Sequence, residues 1–253
     1  MLIIVDKKIP EKAKERLTSL GLQWSGFLVE LETNSLVYPA ISGHPDIFFC
    51  QTPQTLVIAP NLPDQYVRLF DKCKISYIQG NIAVGKVDSE EESTLQSSNP
   101  KNRKNPENKV MACYNAAIDE QFLVHKLEYT DPVILENCHY LKKIAVRQGY
   151  TRCNLLLLKN NHYITSDQGI HKTLQRAGLE GLYVEPGGIL LPGFQNGFIG
   201  GAMGLFRDTI YIIGSLRYLP EGQKIIDLFN KLDYPIVELY QGPLFDGGGI
   251  LFI

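Results

Sequence analysis

The sequence predicts an α/β fold, built as a ring of five strand-strand-helix-strand units that together form a five-bladed α/β propeller. The first observation behind this prediction is a short strand ending in Gln-Gly or Pro-Gly, which follows a segment with apolar residues at helical spacing. The second is that an apolar strand begins the chain and another finishes it. The copies of the Gly-ended strand are residues 75–80, 144–149, 182–187 and 237–242, with a looser copy at 22–26.

Each unit also contains a helix and a hairpin. The helices are predicted at residues 10–20, 63–73, 132–141, 167–177 and 220–232, several of them opened by Pro or Asp. Two short apolar runs separated by a polar turn precede the helix and predict a hairpin. These pairs of runs are 46–50 with 55–59, 110–114 with 122–127, 153–158 with 163–165, and 198–206 with 209–213.

The fifth hairpin is divided between the two ends of the chain. Its first strand is predicted at residues 249–253 and its second at residues 2–5. A ring explains this division better than an open sheet, because only a ring pairs the N-terminal strand with the C-terminal one and leaves no exposed edge. The alternative is an ordinary α/β sheet in which the Gly-ended strands recur by coincidence.

The domain organisation follows from this repeat. Five units in 253 residues average about 50 residues each, and a ring divided in two would leave incomplete folds. We therefore expect one domain over residues 1–253. Residues 88–109 contain Leu95 as their only large apolar residue, and we expect them to form a polar insertion outside the core, as a disordered segment or a mobile loop.

Composition excludes several classes of protein. The formal net charge is −2, whereas a protein held to nucleic acid by phosphate contacts needs a concentrated basic surface, so we expect no nucleic-acid partner. No apolar run is long enough for a membrane span, and the first residues do not form a signal peptide. Five cysteines without a C-x-x-C pair indicate neither a disulfide framework nor a zinc ribbon. We expect a cytoplasmic globular protein.

His44 and Asp46 are the first candidate site. Two residues apart at the start of a predicted strand, their side chains should point to the same side, because strand side chains alternate with period two. This would place an imidazole able to transfer protons beside a carboxylate able to bind a cation. For this pair alone, a polar turn at the start of a strand is the alternative.

Cys153 is the second candidate. It follows Arg152 at the mouth of a predicted strand, where a neighbouring cation is expected to lower the pKa of a thiol. The alternative is that Cys153 is a small buried residue of the core.

Two carboxylates complete the set. Asp246 precedes three glycines, which permit a tight turn and a close approach to a ligand; a phosphate loop is not indicated, because no Lys-Ser/Thr follows. Asp208 follows Arg207 where the fourth complete hairpin turns. Each of these aspartates, taken alone, is also explained as a residue of a turn.

Together these motifs resemble those of the guanidine-modifying (pentein) superfamily of arginine and agmatine deiminases, amidinotransferases and dimethylarginine hydrolases. Arginine deiminases carry F-x-R-D, E-G-G-D, H-x-D-x-x-F and G-x-x-R-C along a five-bladed ring. The corresponding segments here are residues 205–208, 246–249, 44–49 and 149–153. The likeness covers nearly the whole chain except 88–109, and it extends in general to bacterial proteins of unassigned activity with this fold.

The motifs follow the family's cyclic order from a different starting point, so the chain resembles a circular permutant cut inside the E-G-G-D hairpin. Asp246 stands where the family has Glu, and Gly249 stands where arginine deiminases have Asp, which removes one substrate contact. Residues 247–252 also resemble the agmatine deiminase signature G-G-G-x-H-C, but they lack its His and Cys. The permuted alignment is preferred because it accounts for four motifs rather than one.

The resemblance implies an enzyme that acts on a guanidino or amidino small molecule. Cys153 would be the nucleophile, forming a covalent amidino intermediate, and His44 would transfer protons. Asp46, Asp208 and Asp246 would hold the planar cation, with Arg152 beside them in the substrate site. Water as the acceptor gives a deiminase or hydrolase, an amine gives an amidinotransferase, and no metal or organic cofactor is required.

Two other functions are also consistent with these residues. One is a non-catalytic ring that binds a small ligand or a protein, because the same fold also serves a ribosome anti-association factor. The other is an enzyme that uses Cys153 on a substrate other than a guanidine. All mechanisms that pair Cys153 with His44 require the two side chains to face each other in one pocket.

Overall fold

The computed structural model describes residues 1–33, 36–85 and 110–253, and it confirms the predicted α/β architecture. The polar insertion expected at residues 88–109 lies outside the described residues. Within the described residues, no helix combines the length and the apolar character needed to span a membrane.

Short strands and helices alternate along the chain. The helices are α1 (Glu11–Gln23), α2 (Pro45–Phe48), α3 (Asp64–Cys73), α4 (Pro132–Asn137), α5 (Thr151–Asn154), α6 (Gln168–Arg176) and α7 (Gly222–Lys231). The strands before the insertion are β1 (Leu2–Asp6), β2 (Phe27–Leu31), β3 (Phe49–Gln51), β4 (Leu56–Ile58) and β5 (Tyr77–Gln79). Those after it are β6 (Ala117–Ile118), β7 (Phe122–His125), β8 (Lys142–Ala145), β9 (Leu155–Leu158), β10 (His162–Thr165), β11 (Glu180–Tyr183), β12 (Ile189–Leu190), β13 (Met203–Phe206), β14 (Thr209–Ile212), β15 (Ile236–Glu238), β16 (Leu244–Phe245) and β17 (Leu251–Phe252).

Five three-stranded sheets of the described residues share one connectivity. In each, two antiparallel strands are followed by a helix and by a third strand that pairs in parallel with the middle strand, as a helical crossover requires. The sheets are β17-β1-β2, β3-β4-β5, β6-β7-β8, β9-β10-β11 and β13-β14-β15, and a parallel pair, β12-β16, lies outside this pattern.

The N-terminal strand pairs with the C-terminal one. Ile3 lies opposite Phe252 and Ile4 opposite Leu251 in an antiparallel ladder, and the backbone N–H of Ile253 donates to the carbonyl of Leu2 at 3.0 Å. The predicted pairing of the chain ends is therefore confirmed. It forms the first half of the sheet that β2 completes.

The sequence explains the helices through one apolar face and through their first residues. In α6, Ile170 and Leu174 are buried four residues apart, and the side chain of Asp167 accepts the N–H of Ile170 as an N-cap. Asp131 caps α4 in the same way through the N–H of Val133. The described helices thus bury a narrow stripe against a sheet and expose the rest.

The first strands of the units begin later than the sequence predicts. A helical turn, Pro45–Phe48 or Thr151–Asn154, precedes β3 and β9, and a 3-10 turn, Gly200–Ala202, precedes β13. His44 is consequently the N-cap residue of α2 and Asp46 lies inside that turn, so the two do not share a strand face. The argument from strand periodicity was wrong, because Pro45 favours the first turn of a helix and an apolar run does not distinguish helix from strand.

Phe252 gives a test of the terminal pairing. Its ring is 5% exposed, stacks on Phe206 at 4.9 Å and contacts Trp24 and Tyr211. We expect Phe252→Ala to lower the free energy of unfolding in urea by about 3–5 kcal/mol, because it leaves a cavity between β17 and its neighbours.

The matched control is Phe194→Ala, since Phe194 is 58% exposed. Its effect should stay within about 0.5 kcal/mol. Equal effects of the two substitutions would contradict the described packing of the C-terminal strand.

Candidate functional site

The turns before three first strands converge on one buried cluster. One ring nitrogen of His44, Sγ of Cys153 and a carboxylate oxygen of Asp246 all lie within 4.8 Å of one another. All three residues are buried, with exposed fractions of 1%, 3% and 1%. The cluster therefore brings together side chains that are remote in the sequence and that the motifs had singled out.

The thiol of Cys153 has two polar partners. It donates to Oδ2 of Asp46 at 2.8 Å and accepts from Nδ2 of Asn115 at 3.3 Å. The backbone N–H of Cys153 donates to Oδ1 of the same Asn115, whose amide also reaches the carbonyl of Asp46. Asn115 thus fixes the thiol relative to the carboxylate of Asp46.

The imidazole of His44 lies between two carboxylates. Its Nε2 is 3.8 Å from Oδ2 of Asp6, and its Nδ1 is 4.0 Å from Oδ1 of Asp246. Neither distance is a hydrogen bond, and among the described residues neither ring nitrogen has a partner at hydrogen-bond geometry, although the backbone of Asp246 lies close enough to influence the pKa of the imidazole. Asp6 is the last residue of β1, and Asp246 directly follows β16 in the segment that leads to β17.

Backbone groups fix Asp246 in place. Its Oδ2 accepts the N–H of Phe198 at 2.9 Å and its Oδ1 accepts the N–H of Gly248 at 3.1 Å. Gly201 faces the same carboxylate so closely that a Cβ there would lie 1.9 Å from Oδ1. A side chain at position 201 would therefore displace Asp246 from the cluster.

Arg152 lies beside the cluster, and its guanidinium is bound by backbone carbonyls. Its guanidinium donates to the carbonyls of Gly200 and Met203 at 2.5 and 3.1 Å. Gly249 packs against it at φ +82°, and a Cβ at this position would meet Nη2 at 2.5 Å. An Asp in place of Gly249, as in the E-G-G-D motif, is thus incompatible with this position of Arg152.

Burial dominates the acid–base properties of the cluster. It lowers the pKa of His44 to about 3, so the imidazole is neutral at physiological pH. Burial also raises the pKa of Asp46 to about 6 and, with the neighbouring charge of Asp46, raises the pKa of Asp246 to about 7. Among the described residues, neither carboxylate pairs with a lysine or arginine within 4.0 Å.

The pKa of the Cys153 thiol is raised well above its ordinary value. Burial is the main cause, followed by the negative charges of Asp46 and Asp246. The expectation that Arg152 lowers this pKa was wrong, because the guanidinium is bound to backbone carbonyls. Cys153 is therefore a protonated thiol at neutral pH.

A cavity of about 650 Å³ lies next to the cluster. Asp46, whose carboxylate binds the Cys153 thiol, lines it together with Arg152 and Gly248, whereas the three cluster residues themselves are not part of its lining. Its wall includes a first-strand residue from each of the five three-stranded sheets, namely Phe49, Ala117, Leu155, Leu205 and Leu251. The first strand of each three-stranded sheet therefore contributes to one cavity.

Comparison with protein families gives one assignment. The model of a family of unknown function, DUF6873, matches residues 4–251. The chain belongs to this family. The search of curated proteins found no match.

The fold of this DUF6873 chain is similar to that of several solved structures. It is similar to C. jejuni agmatine deiminase, with 9% identity over 94% of this chain and 86% of that one and a TM-score of 0.55. It is similar to DDAH from Pseudomonas aeruginosa, a cysteine-to-serine mutant complexed with citrulline, with 8% identity over 94% and 91% and a TM-score of 0.50. SxtG, an amidinotransferase from Microseira wollei in the saxitoxin biosynthetic pathway, gives 9% identity over 94% and 87% and a TM-score of 0.51. This DUF6873 chain thus has the fold of the superfamily that its motifs resemble.

Asp208 is the one motif residue that the structure does not bring to the cluster. It lies with Arg207 in the exposed two-residue turn between β13 and β14, at φ 55°, on the rim of the cavity. The four residues of β13, about 13 Å of strand, separate this turn from Met203, whose carbonyl binds Arg152. The segment before β13 contributes Gly201 to the cluster instead of a carboxylate.

Asp6 and Asn115 are site residues that the sequence interpretation missed. Asp6 directly follows the apolar run 2–5, where a charged residue at the end of a buried strand was a usable signal. Asn115 directly follows residues 110–114, which the sequence predicts as a strand, although β6 begins only at Ala117. Its role follows from its contacts alone and has no signal in the motif pattern.

The same cluster has donor atoms suitable for a metal ion. A His nitrogen, a Cys sulfur and an Asp oxygen within 4.8 Å of one another are ligands that Zn²⁺ accepts. Coordination would require Cys153 to lose the proton with which its thiol donates a hydrogen bond to Asp46.

The raised pKa of Asp246 predicts a dependence of stability on pH. Between about pH 4, where an unfolded aspartate loses its proton, and about pH 7, the folded state binds more protons than the unfolded state. This contribution therefore lowers the free energy of unfolding as the pH rises through that range. We expect Asp246→Asn to reduce the decrease, measured by urea unfolding at a series of pH values from 5 to 8.

Asp208→Asn makes the same chemical change at an exposed residue, and it should keep the pH dependence of the original protein. If Asp246→Asn and Asp208→Asn gave the same profile, the buried carboxylate would not be the source.

Proposed function

We propose that this protein is a guanidine-modifying type of enzyme, a hydrolase or transferase that uses Cys153 as the nucleophile on a guanidino or amidino small molecule. The observation that carries the proposal is the convergence of Cys153, His44 and Asp246 within 4.8 Å, with Asp46 hydrogen-bonded to the thiol. A nucleophile, a proton-transferring base and two carboxylates in one cluster are the groups that this chemistry needs.

Buried carboxylates without a partner cation favour a planar, positively charged substrate. Oδ1 of Asp46 is buried and has no hydrogen-bond partner, so it can accept an N–H of a guanidinium. Asp246 lies across the cluster from it and can contribute a second negative charge. A bound cation would compensate the charges whose burial raises the pKa values of both aspartates.

The reaction proceeds in two steps. The Cys153 thiolate attacks the guanidinium carbon, the bond to the departing nitrogen breaks, and that nitrogen leaves as ammonia or an amine after receiving a proton from His44. Water then attacks the amidino carbon and gives one proton to His44. Its second proton passes to the released ammonia or amine, or to solvent, as the C–S bond breaks and releases a ureido product and the thiolate. An amine that attacks in place of water yields a new guanidine.

The substrate itself is proposed to activate the nucleophile. Burial and two aspartates hold the pKa of Cys153 above its ordinary value, and a cation among those aspartates opposes both charges. Substrate binding would thus lower the pKa of the thiol and release its proton to the neutral His44. The thiolate forms only when there is a carbon to attack.

The architecture belongs to the same proposal. We infer a single domain in which the five sheets form a closed ring around the cavity, because one first strand of each sheet lines it. Contacts of β6 with β9 and of β13 with β17 support this arrangement of neighbouring sheets. The order of the site-bearing turns then supports a circular permutant that is opened between β17 and β1.

Two alkylating reagents test the cation requirement. Chloroacetamidine is cationic and chloroacetamide is neutral, while both carry the same leaving group. We expect chloroacetamidine to modify Cys153 at least about tenfold faster than chloroacetamide, relative to the half-buried Cys73 in the same chain, as peptide mass spectrometry can measure.

Asp46→Asn should abolish this preference, and Asp208→Asn should retain it. Equal relative rates for the two reagents at Cys153 would contradict the proposed cation site.

A panel of guanidino and amidino compounds tests turnover directly. We expect at least one member to release ammonia or an amine, and Cys153→Ser to remove this activity while the protein remains folded. A covalent adduct on Cys153, trapped by acid quenching during turnover, would identify the nucleophile.

A binding protein is the second candidate function. It is favoured by Gly249, which stands where arginine deiminases have Asp, so one carboxylate of the resembled cation site is missing. A non-catalytic protein would bind a guanidino compound, detectable by calorimetry with the intact chain, and would release no product from it. The same compound would bind Cys153→Ser with similar affinity.

A further inference from the structure

The buried polar atoms without hydrogen-bond partners are concentrated around His44. Among the described residues they include Oδ2 of Asp6, both ring nitrogens of His44 and Oδ1 of Asp46. Buried polar atoms in folded proteins are nearly always paired, so each of these needs a partner. The way in which they pair determines which nitrogen of His44 faces the substrate.

Oδ2 of Asp6 and Nε2 of His44 are two unpaired atoms that lie near each other. Oδ2 of Asp6 is 3.8 Å from Nε2, and a small rotation of either side chain brings them to hydrogen-bond distance. On the other side of the ring, both oxygens of Asp246 already accept backbone N–H groups. The unsatisfied acceptor is therefore at Asp6.

Several groups around Asp6 favour its ionised form and oppose burial, the largest effect, which raises the pKa of this carboxyl. Its Oδ1 accepts the N–H of Lys8 at 2.7 Å, the backbone of Gly43 also donates to the carboxylate, and the Lys8 ammonium adds a positive charge nearby. When ionised, the carboxylate has no proton to donate, so it can only accept a hydrogen bond from the N–H of Nε2.

We propose that Asp6 is a positioning residue that holds the N–H of Nε2 in His44 and leaves Nδ1 unprotonated toward Asp246 and Cys153. The inference rests on the proposed function for its catalytic meaning, although the geometry stands without it. With Nε2 paired, the atoms that remain are Nδ1 of His44 and Oδ1 of Asp46. During the reaction Nδ1 of His44 can then accept a proton, and Oδ1 of Asp46 can bind the cationic substrate.

The arrangement has the logic of a catalytic triad. A carboxylate behind an imidazole fixes the tautomer and stabilises the imidazolium that forms during proton transfer. The charged and titratable groups around His44 are Asp6 and Lys8 on one side and Asp246 and Cys153 on the other. Of the two carboxylates within 4.0 Å of the ring among the described residues, only Asp6 has an oxygen without another partner.

Nitrogen NMR of the histidine rings tests the proposal without any substrate. The two tautomers differ in which ring nitrogen carries the proton, and the bare nitrogen resonates far downfield of the protonated one. His44→Asn identifies the His44 signals among the five histidines. His125 is an internal reference, because its Nε2 must donate to the carbonyl of Gly149 at 2.7 Å.

We expect His44 in the original protein to carry its proton on Nε2 at neutral pH. In Asp6→Asn, Oδ1 would still accept the backbone donors, and the side-chain amide would donate to Nε2 and move the proton of His44 to Nδ1. Asp208→Asn should leave both histidines unchanged. A proton on Nδ1 in the original protein, donated to the backbone carbonyl of Asp246, would overturn the proposal, even if Asp6→Asn did not fold.

An unchanged Nε2–H tautomer in folded Asp6→Asn would also overturn it. If a guanidino substrate is turned over, Asp6→Asn should lower kcat by about 10²- to 10⁴-fold with little change in KM. The NMR result can fail while turnover is found, and turnover can fail while the tautomer is as proposed. The two failures are therefore distinguishable.

Discussion

The antiparallel pairing of β1 with β17 is the contact on which the cluster depends. It unites the two ends of the chain in one sheet, in which β1 ends at Asp6 and β17 follows the segment that carries Asp246, the two carboxylates on either side of His44. The imidazole comes from the turn before β3 and the thiol from the turn before β9. Long-range pairing of this kind has a high entropic cost, and apolar burial along Leu2–Asp6 and around Phe252 stabilises it.

The electrostatics of the cluster follow from the burial of two carboxylates that no lysine or arginine of the described residues pairs with. Asp46 and Asp246 are shielded from water, and the nearest guanidinium, that of Arg152, is bound to two backbone carbonyls. The interior therefore raises the pKa values of acids and thiol and lowers that of the imidazole. Burial of such groups reduces stability, so the fold maintains them through fixed backbone donors such as the N–H groups of Phe198 and Gly248.

The sequence was sufficient for the repeat, the hairpins and the pairing of the chain ends, because those features depend on apolar periodicity and on glycines at the ends of strands. It placed His44, Asp46, Cys153 and Asp246 among the candidates. It could not show that helical turns precede the first strands, since short apolar runs suit both helix and strand. Because the site residues come from those turns, Asp208, which lies in the turn after β13, looked equivalent to them in the sequence although it is not. Asp6 and Asn115 belong to the site because Asp6 lies near the imidazole of His44 and Asn115 donates a hydrogen bond to Cys153. These contacts are defined only once the chain is folded.

The shielding of Cys153 has a consequence for its chemical lifetime. Peroxide and other cellular oxidants attack thiolates that are exposed, and they attack protonated, enclosed thiols slowly. Cys153 is 3% exposed and its proton is directed to Asp46. The environment that holds this sulfur in its thiol form therefore also protects it from oxidation to sulfenic or sulfinic acid.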